Sequence, residues 1–216
     1  MKALIIEPDG ILLDSTPLKN TTYSRLIRSL GKQPPEGVDE EMLELSLYDV
    51  PSYLKEMQGI EMSDEQVYGA LADLISEDYR ERVGLCAGVL PFLMKAHHLG
   101  LKIIAASSQE YDLLSAAFER LGIRESFADI LTTTRVGAFK TQPIIYERAR
   151  LALGLGKDDV LVMENSLTAI SCAADNGYTV AYMRSPGQHQ AFKMSQKAHY
   201  TFNSLESLMT WMEEYV

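Results

Sequence analysis

Acidic, hydroxyl and amide side chains follow three short apolar runs of this sequence, and a solitary lysine precedes a predicted helix. Carboxylates beside a hydroxyl and a cation are the groups that hold a divalent metal next to a phosphate. We therefore predict that these residues form one site for a phosphorylated ligand. The set consists of Glu7, Asp9, Ser107, Ser108, Lys140, Glu164 and Asn165.

Five apolar runs predict the buried strands that position these residues. Each run is short and rich in branched residues, as expected of strands covered on both faces. In a parallel sheet the ligand site lies outside the carboxyl ends of the strands, which is where the candidate residues stand. The runs span 2–6, 101–106, 129–132, 160–163 and 179–183.

Helical stretches alternate with the later strands. They cover 110–121, 143–153 and 166–176, and a glycine directly follows each of them (Gly122, Gly154 and Gly177). A glycine just past a helix is the usual left-handed stop. The alternation predicts an α/β fold, a Rossmann-like parallel sheet with helices on both faces.

The segment 16–83 differs because it contains no strand-like run and has helical periodicity throughout. Ser63 and Gln66 have the spacing of a capping box at the start of one helix. We predict an all-helical cap domain at 16–83, inserted into a core domain formed by 1–15 and 84–216.

The amino-acid composition limits the kinds of partner that we expect for this protein. Thirty acidic and twenty basic residues give a formal charge of −10, which repels a phosphate backbone, so we expect no nucleic-acid binding. No run is long enough for a membrane span, and Cys86 and Cys172 have no metal-ligand spacing. We expect a cytoplasmic protein without a membrane partner.

The segment EPDGILLDS resembles the first signature, DxDGTLxDS, of phosphatases of the haloacid dehalogenase-like (HAD) superfamily. Three later segments resemble the other family motifs in order: KIIAASS, FKTQPIIY and VLVMENSLTAISCAADNGY. The helical insert after the first motif resembles the small cap of the β-phosphoglucomutase-like subfamily. The likeness extends over nearly the whole chain.

This resemblance implies a phosphoric monoester hydrolase that acts on a small phosphorylated metabolite with Mg²⁺. Glu7 falls at the nucleophile position and Asp9 at the general acid/base position. Ser107, Ser108 and Lys140 fall in the phosphate-binding motifs. Glu7, Asp9, Glu164 and Asn165 take the metal-binding positions.

Three positions depart from the family pattern. Glu7 replaces an aspartate, which moves the carboxylate by ~1.5 Å, and misplacement on this scale costs roughly 100-fold in rate. Pro8 has no backbone N–H to offer a phosphoryl oxygen, and Asn165 replaces a charged metal ligand with a neutral amide. We therefore expect a weak phosphatase. The alternative is an inactive relative that binds a phosphorylated metabolite or a protein partner.

Overall fold

The computed structural model describes residues 1–43, 45, 47–185, 188 and 190–215. The chain divides into two compact units, one made of Met1–Asp14 with Gly84–Val216 and the other of Ser15–Val83. In the described part of the chain, no helix is both long and apolar enough to cross a membrane.

The unit Ser15–Val83 is helical, and its described residues include no strand. Its apolar residues pack into a core of their own, to which Leu26, Leu54 and Leu71 contribute. An ion pair of 2.7 Å joins the partly buried Arg25 to the buried Asp78. The α-helices are α1 (Thr16–Lys19), α2 (Thr22–Ser29), α3 (Val38–Leu43), α4 (Val50–Gln58) and α5 (Asp64–Glu77), with a 3-10 turn at Leu47–Asp49 and a π-helical turn at Asp78–Arg82.

The other unit contains a six-stranded parallel sheet of order β3-β2-β1-β4-β5-β6. The predicted α/β fold is confirmed. The sequence analysis missed β6, a three-residue edge strand whose first two residues are exposed. The strands are β1 (Ala3–Ile6), β2 (Lys102–Ser107), β3 (Asp129–Thr132), β4 (Val160–Glu164), β5 (Thr179–Met183) and β6 (Tyr200–Phe202).

Helices cover both faces of this sheet. Ala3 and Ile5 of β1 pack in a cluster with residues of three helices (α9, α10 and α11), and Leu4 and Ile6, which alternate to the opposite face, are also fully buried. The helices of this unit are α6 (Val89–His98), α7 (Tyr111–Arg120), α8 (Thr133–Val136), α9 (Ile144–Ala152), α10 (Leu167–Asp175), α11 (Ala191–Lys197) and α12 (Leu205–Tyr215).

The capping box predicted at Ser63 is confirmed at the start of α5. Ser63 Oγ accepts from the Gln66 N–H at 3.3 Å, and Gln66 Oε1 accepts from the Ser63 N–H at 2.9 Å. Ser63→Ala should lower the free energy of unfolding by ~1 kcal/mol, measured by urea denaturation. The control is Ser76→Ala, which removes only an exposed contact with Arg80. Equal losses in the two variants would contradict the capping role.

Candidate active site

The sheet order brings three polar strand ends together. β1 lies between β2 and β4. The strands that follow β1 are added toward one edge of the sheet up to β3, and those from β4 onward are added toward the opposite edge. Such a switch point opens a crevice at the carboxyl edge of a parallel sheet. Glu7 follows β1, Ser107 ends β2 and Glu164 ends β4. All three side chains are buried.

The loop after β1 folds back on the carbonyl of Pro8. This oxygen accepts hydrogen bonds from the N–H groups of Leu12 and Leu13 at 2.8 and 2.9 Å. Gly10 has a φ of 73°, a conformation that glycine adopts without strain. The Glu7 N–H donates to the Met163 carbonyl at 3.0 Å, which fixes the start of the loop against β4.

Lys140 lies in the connection between α8 and α9, and its ammonium group is buried among three acceptors. Nζ donates to Glu7 Oε2 at 2.6 Å, to Glu164 Oε1 at 2.6 Å and to the Ala106 carbonyl at 2.7 Å. An ammonium group has three N–H donors, so these contacts use all of them. Lys140 therefore links the ends of β1, β2 and β4.

The Glu7 carboxylate accepts three hydrogen bonds. Oε1 accepts from the Asp9 backbone N–H at 3.0 Å and from Ser107 Oγ at 3.1 Å, and Oε2 accepts from Lys140. Ser107 Oγ in turn accepts from the Gln109 N–H at 3.1 Å. That contact leaves the hydroxyl proton free to point at Glu7.

Burial and charge oppose each other in this cluster. Burial disfavours the charged form of Lys140, but the carboxylates of Glu164 and Glu7 outweigh it and raise the pKa of the ammonium group. Burial also raises the pKa of the Glu7 carboxyl, against the opposing charge of Lys140. Two carboxylates share one cation, so each additional hydrogen-bond donor stabilises the charged cluster.

Tyr146 is such a donor, and the sequence analysis missed it. Its hydroxyl donates to Glu164 Oε1 at 2.9 Å. Burial, followed by the charge of Glu164, raises the pKa of Tyr146, which keeps its proton available. The available signal was a tyrosine on the buried face of a predicted helix, since a buried tyrosine hydroxyl usually requires a partner.

Asn165 faces the loop that carries Asp9. Its Nδ2 group donates to the Asp9 carbonyl at 2.6 Å, and two oxygens at this distance would repel each other, so the amide nitrogen must be the atom in contact. Gln188, also missed from sequence, donates to the Asn165 carbonyl at 2.9 Å. The hydroxyl of Tyr182 donates to Gln188 Oε1 at 2.6 Å and holds it in place.

The structure thus brings Glu7, Ser107, Lys140 and Glu164 into one hydrogen-bonded cluster. Asp9 joins the cluster through its backbone N–H, and its carbonyl connects to Asn165. Ser108, next to Ser107, is exposed.

These groups do not fit a Mg²⁺ ion in the arrangement observed. Among the described residues, no three Asp, Glu, His or Cys side chains are grouped to hold a metal. The carboxylates of Glu7 and Glu164 face Lys140, and the Asp9 carbonyl faces the side-chain amide of Asn165. A hydrogen-bond donor at that carbonyl excludes a cation from the same place.

Two relatives of known sequence match most of the chain. The chain is 28% identical over 181 residues to the "Putative phosphatase YhcW" of Bacillus subtilis, which covers 82% of this chain and 80% of that protein. It is 24% identical over 188 residues to a phosphorylated carbohydrates phosphatase of Thermotoga maritima, with 84% of each chain covered.

Solved structures share the fold. The crystal structure of a "putative beta-phosphoglucomutase" from Thermotoga maritima matches with a TM-score of 0.89 at 21% identity, over 100% of both chains. CbbY from Rhodobacter sphaeroides, solved in complex with phosphate, matches with a TM-score of 0.72 at 17% identity, over 96% of both chains. The family model for haloacid dehalogenase-like hydrolases matches residues 5–183. This chain belongs to the haloacid dehalogenase-like hydrolase family.

Proposed function

We propose that this chain is a slow phosphatase of small phosphorylated metabolites that acts in the cytoplasm. The observation that carries the proposal is the convergence of Lys140 Nζ, Ser107 Oγ and the Asp9 N–H at the carboxyl edge of the sheet. An ammonium, a hydroxyl and a backbone N–H are the donors that bind phosphoryl oxygens. In this proposal residues 1–15 and 84–216 form the catalytic core and 16–83 form the cap.

The residues have separate roles in the proposed reaction. Glu7 attacks phosphorus while the bond to the leaving oxygen breaks and Asp9 gives that oxygen a proton; water, losing a proton to Asp9, then breaks the bond between Glu7 and phosphorus and releases phosphate. In the other route, a water molecule beside Glu7 attacks phosphorus directly, and no bond to Glu7 forms. Ser107, Ser108 and Lys140 hold the phosphoryl group. The metal positions of the family correspond to Glu7, Asp9, Glu164 and Asn165, and we propose that they respond only weakly to Mg²⁺.

The relatives support the substrate class. One bears the name "Putative phosphatase YhcW" and another is named as a phosphatase of phosphorylated carbohydrates. Sugar phosphates are therefore the first substrates to test.

A second candidate function is binding without turnover. The contact between Asn165 and the Asp9 carbonyl favours it, because an amide donor stands where the family resemblance implies a metal. In that case the chain binds a phosphorylated metabolite or a protein partner and leaves it unchanged.

Restoring the family residues tests slow catalysis. The wild-type chain should hydrolyse sugar phosphates slowly with saturating Mg²⁺. The triple variant Glu7→Asp, Pro8→Leu and Asn165→Asp should be faster by ~100- to 1,000-fold, the amount that one transition-state donor typically contributes. Initial rates of phosphate release across a panel of substrates measure this. Fast turnover by the wild type, with no gain from Glu7→Asp, would show that Glu7 is a competent nucleophile.

The thermal stabilisation by Mg²⁺ should be larger in Asn165→Asp than in the wild type. Without metal, a carboxylate facing the Asp9 carbonyl repels it, so the melting temperature should fall in EDTA, by about 2–4 °C per kcal/mol lost, and recover with Mg²⁺. The matched control is Asn176→Asp, which breaks an equivalent 2.8 Å bond to the Cys172 carbonyl on α10. Recovery of both variants with Mg²⁺ would refute a site-specific effect.

Lys140→Met should abolish phosphate binding and also destabilise the fold. Loss of the cation leaves two buried carboxylates uncompensated, which costs roughly 3–5 kcal/mol. Calorimetric titration with inorganic phosphate and thermal unfolding measure the two effects. Lys102→Met, an exposed position at the start of β2, is the control and should change neither quantity. Unchanged phosphate affinity in Lys140→Met would place the phosphate site elsewhere.

A further inference from the structure

Three donors from different parts of the chain converge on a single carboxylate. The Asp9 N–H and the Ser107 hydroxyl meet at Glu7 Oε1, at 3.0 and 3.1 Å, and the Lys140 ammonium meets Oε2 at 2.6 Å. Such a set of donors forms a cradle for an oxyanion of any origin, carboxylate or phosphate. In this structure the occupant of the cradle belongs to the chain itself.

The length of the Glu7 side chain explains how it reaches the cradle. An aspartate at the same position would carry its carboxylate one methylene closer to the backbone, a difference of ~1.5 Å. A carboxylate drawn back by this distance would lose its 3.1 Å contact with the Ser107 hydroxyl on the neighbouring strand, although an aspartate can still accept from the backbone N–H two residues on. Pro8 lacks an N–H, so the Asp9 N–H is the first backbone donor after Glu7, and it already points at Oε1.

The neighbouring carboxylate makes a different set of contacts. Glu164 Oε1 accepts from Lys140 and Tyr146, and its Oε2 accepts from the Asn165 N–H at 3.3 Å. Glu164 therefore shares the cation with Glu7, whereas the hydrogen bonds from Ser107 and the Asp9 N–H go to Glu7. Both carboxylates thus contact Lys140, but the cradle holds the carboxylate of Glu7.

We propose that the Glu7 carboxylate is an internal anion that occupies the phosphate subsite, so that a phosphorylated ligand binds only by displacing it. This inference rests on the proposed function, which supplies the phosphate. A phosphomonoester dianion can compete because it offers three oxygens and a higher charge to donors that now hold a carboxylate. The Glu7 side chain thus acts as an autoinhibitory contact that sets the threshold for ligand binding.

Shortening Glu7 without changing its charge tests this inference. Glu7→Asp should give up the contact with Ser107 and tighten the binding of inorganic phosphate by about tenfold or more, measured by isothermal titration calorimetry in EDTA. The matched control is Glu147→Asp, which shortens a carboxylate that pairs with Arg150 and Lys157 outside this cluster and should leave the affinity within about twofold of the wild type. Glu7→Ala is a second variant that vacates the cradle, and it should bind phosphate at least as tightly as Glu7→Asp.

The outcomes separate this inference from the proposed function. Equal phosphate affinity in the wild type, Glu7→Asp and Glu7→Ala would overturn the internal-anion role and leave the phosphate subsite intact. An equal gain from Glu147→Asp would also overturn it, because the effect would then not depend on the contacts of the Glu7 carboxylate. Absence of phosphate binding in all four proteins would refute the proposed function together with the inference.

Discussion

The buried ammonium group of Lys140 is the interaction on which the site depends. A lysine can be buried only if its charge is paired and its three N–H donors are used, and Glu7, Glu164 and the Ala106 carbonyl meet both conditions. Because these acceptors belong to the ends of β1, β2 and β4, the lysine fixes the loop before α9 against the sheet. The position of the ammonium group therefore depends on how the strands pack, and the paired charges in turn hold the strand ends together.

A single methylene at position 7 changes what this arrangement can do. The donors that would hold a phosphoryl group hold Glu7, and the Asp9 carbonyl holds the amide of Asn165. The polar groups of the site are thus satisfied by the chain itself, which avoids the cost of leaving buried donors without partners. A ligand must therefore replace existing hydrogen bonds, and its net binding energy is correspondingly small.

Sequence alone predicted the elements that build the site, and missed how its side chains pair. The five buried strands are marked by short apolar runs, and Gly122, Gly154 and Gly177 mark helix ends. The residues at the strand ends followed from the rule for parallel sheets. Tyr146 and Gln188 could not be assigned, because their partners depend on the distance between elements remote in sequence. The direction in which the Glu7 side chain points could not be predicted either, because the sequence does not show which of several donors a longer side chain reaches.

The two candidate functions differ in where Glu7 lies after a ligand displaces it. If the carboxylate moves into line with phosphorus and its leaving oxygen, the displaced group is the attacking group, and each turnover includes the breaking of its bonds to Ser107 and the Asp9 N–H. A slow step of this kind lowers the turnover number even when the ligand binds well. If the carboxylate instead remains beside Lys140, two anions share one cation and no attack follows. The chain would then bind a phosphorylated ligand without hydrolysing it, and the side chain that limits binding would also be the one that prevents turnover.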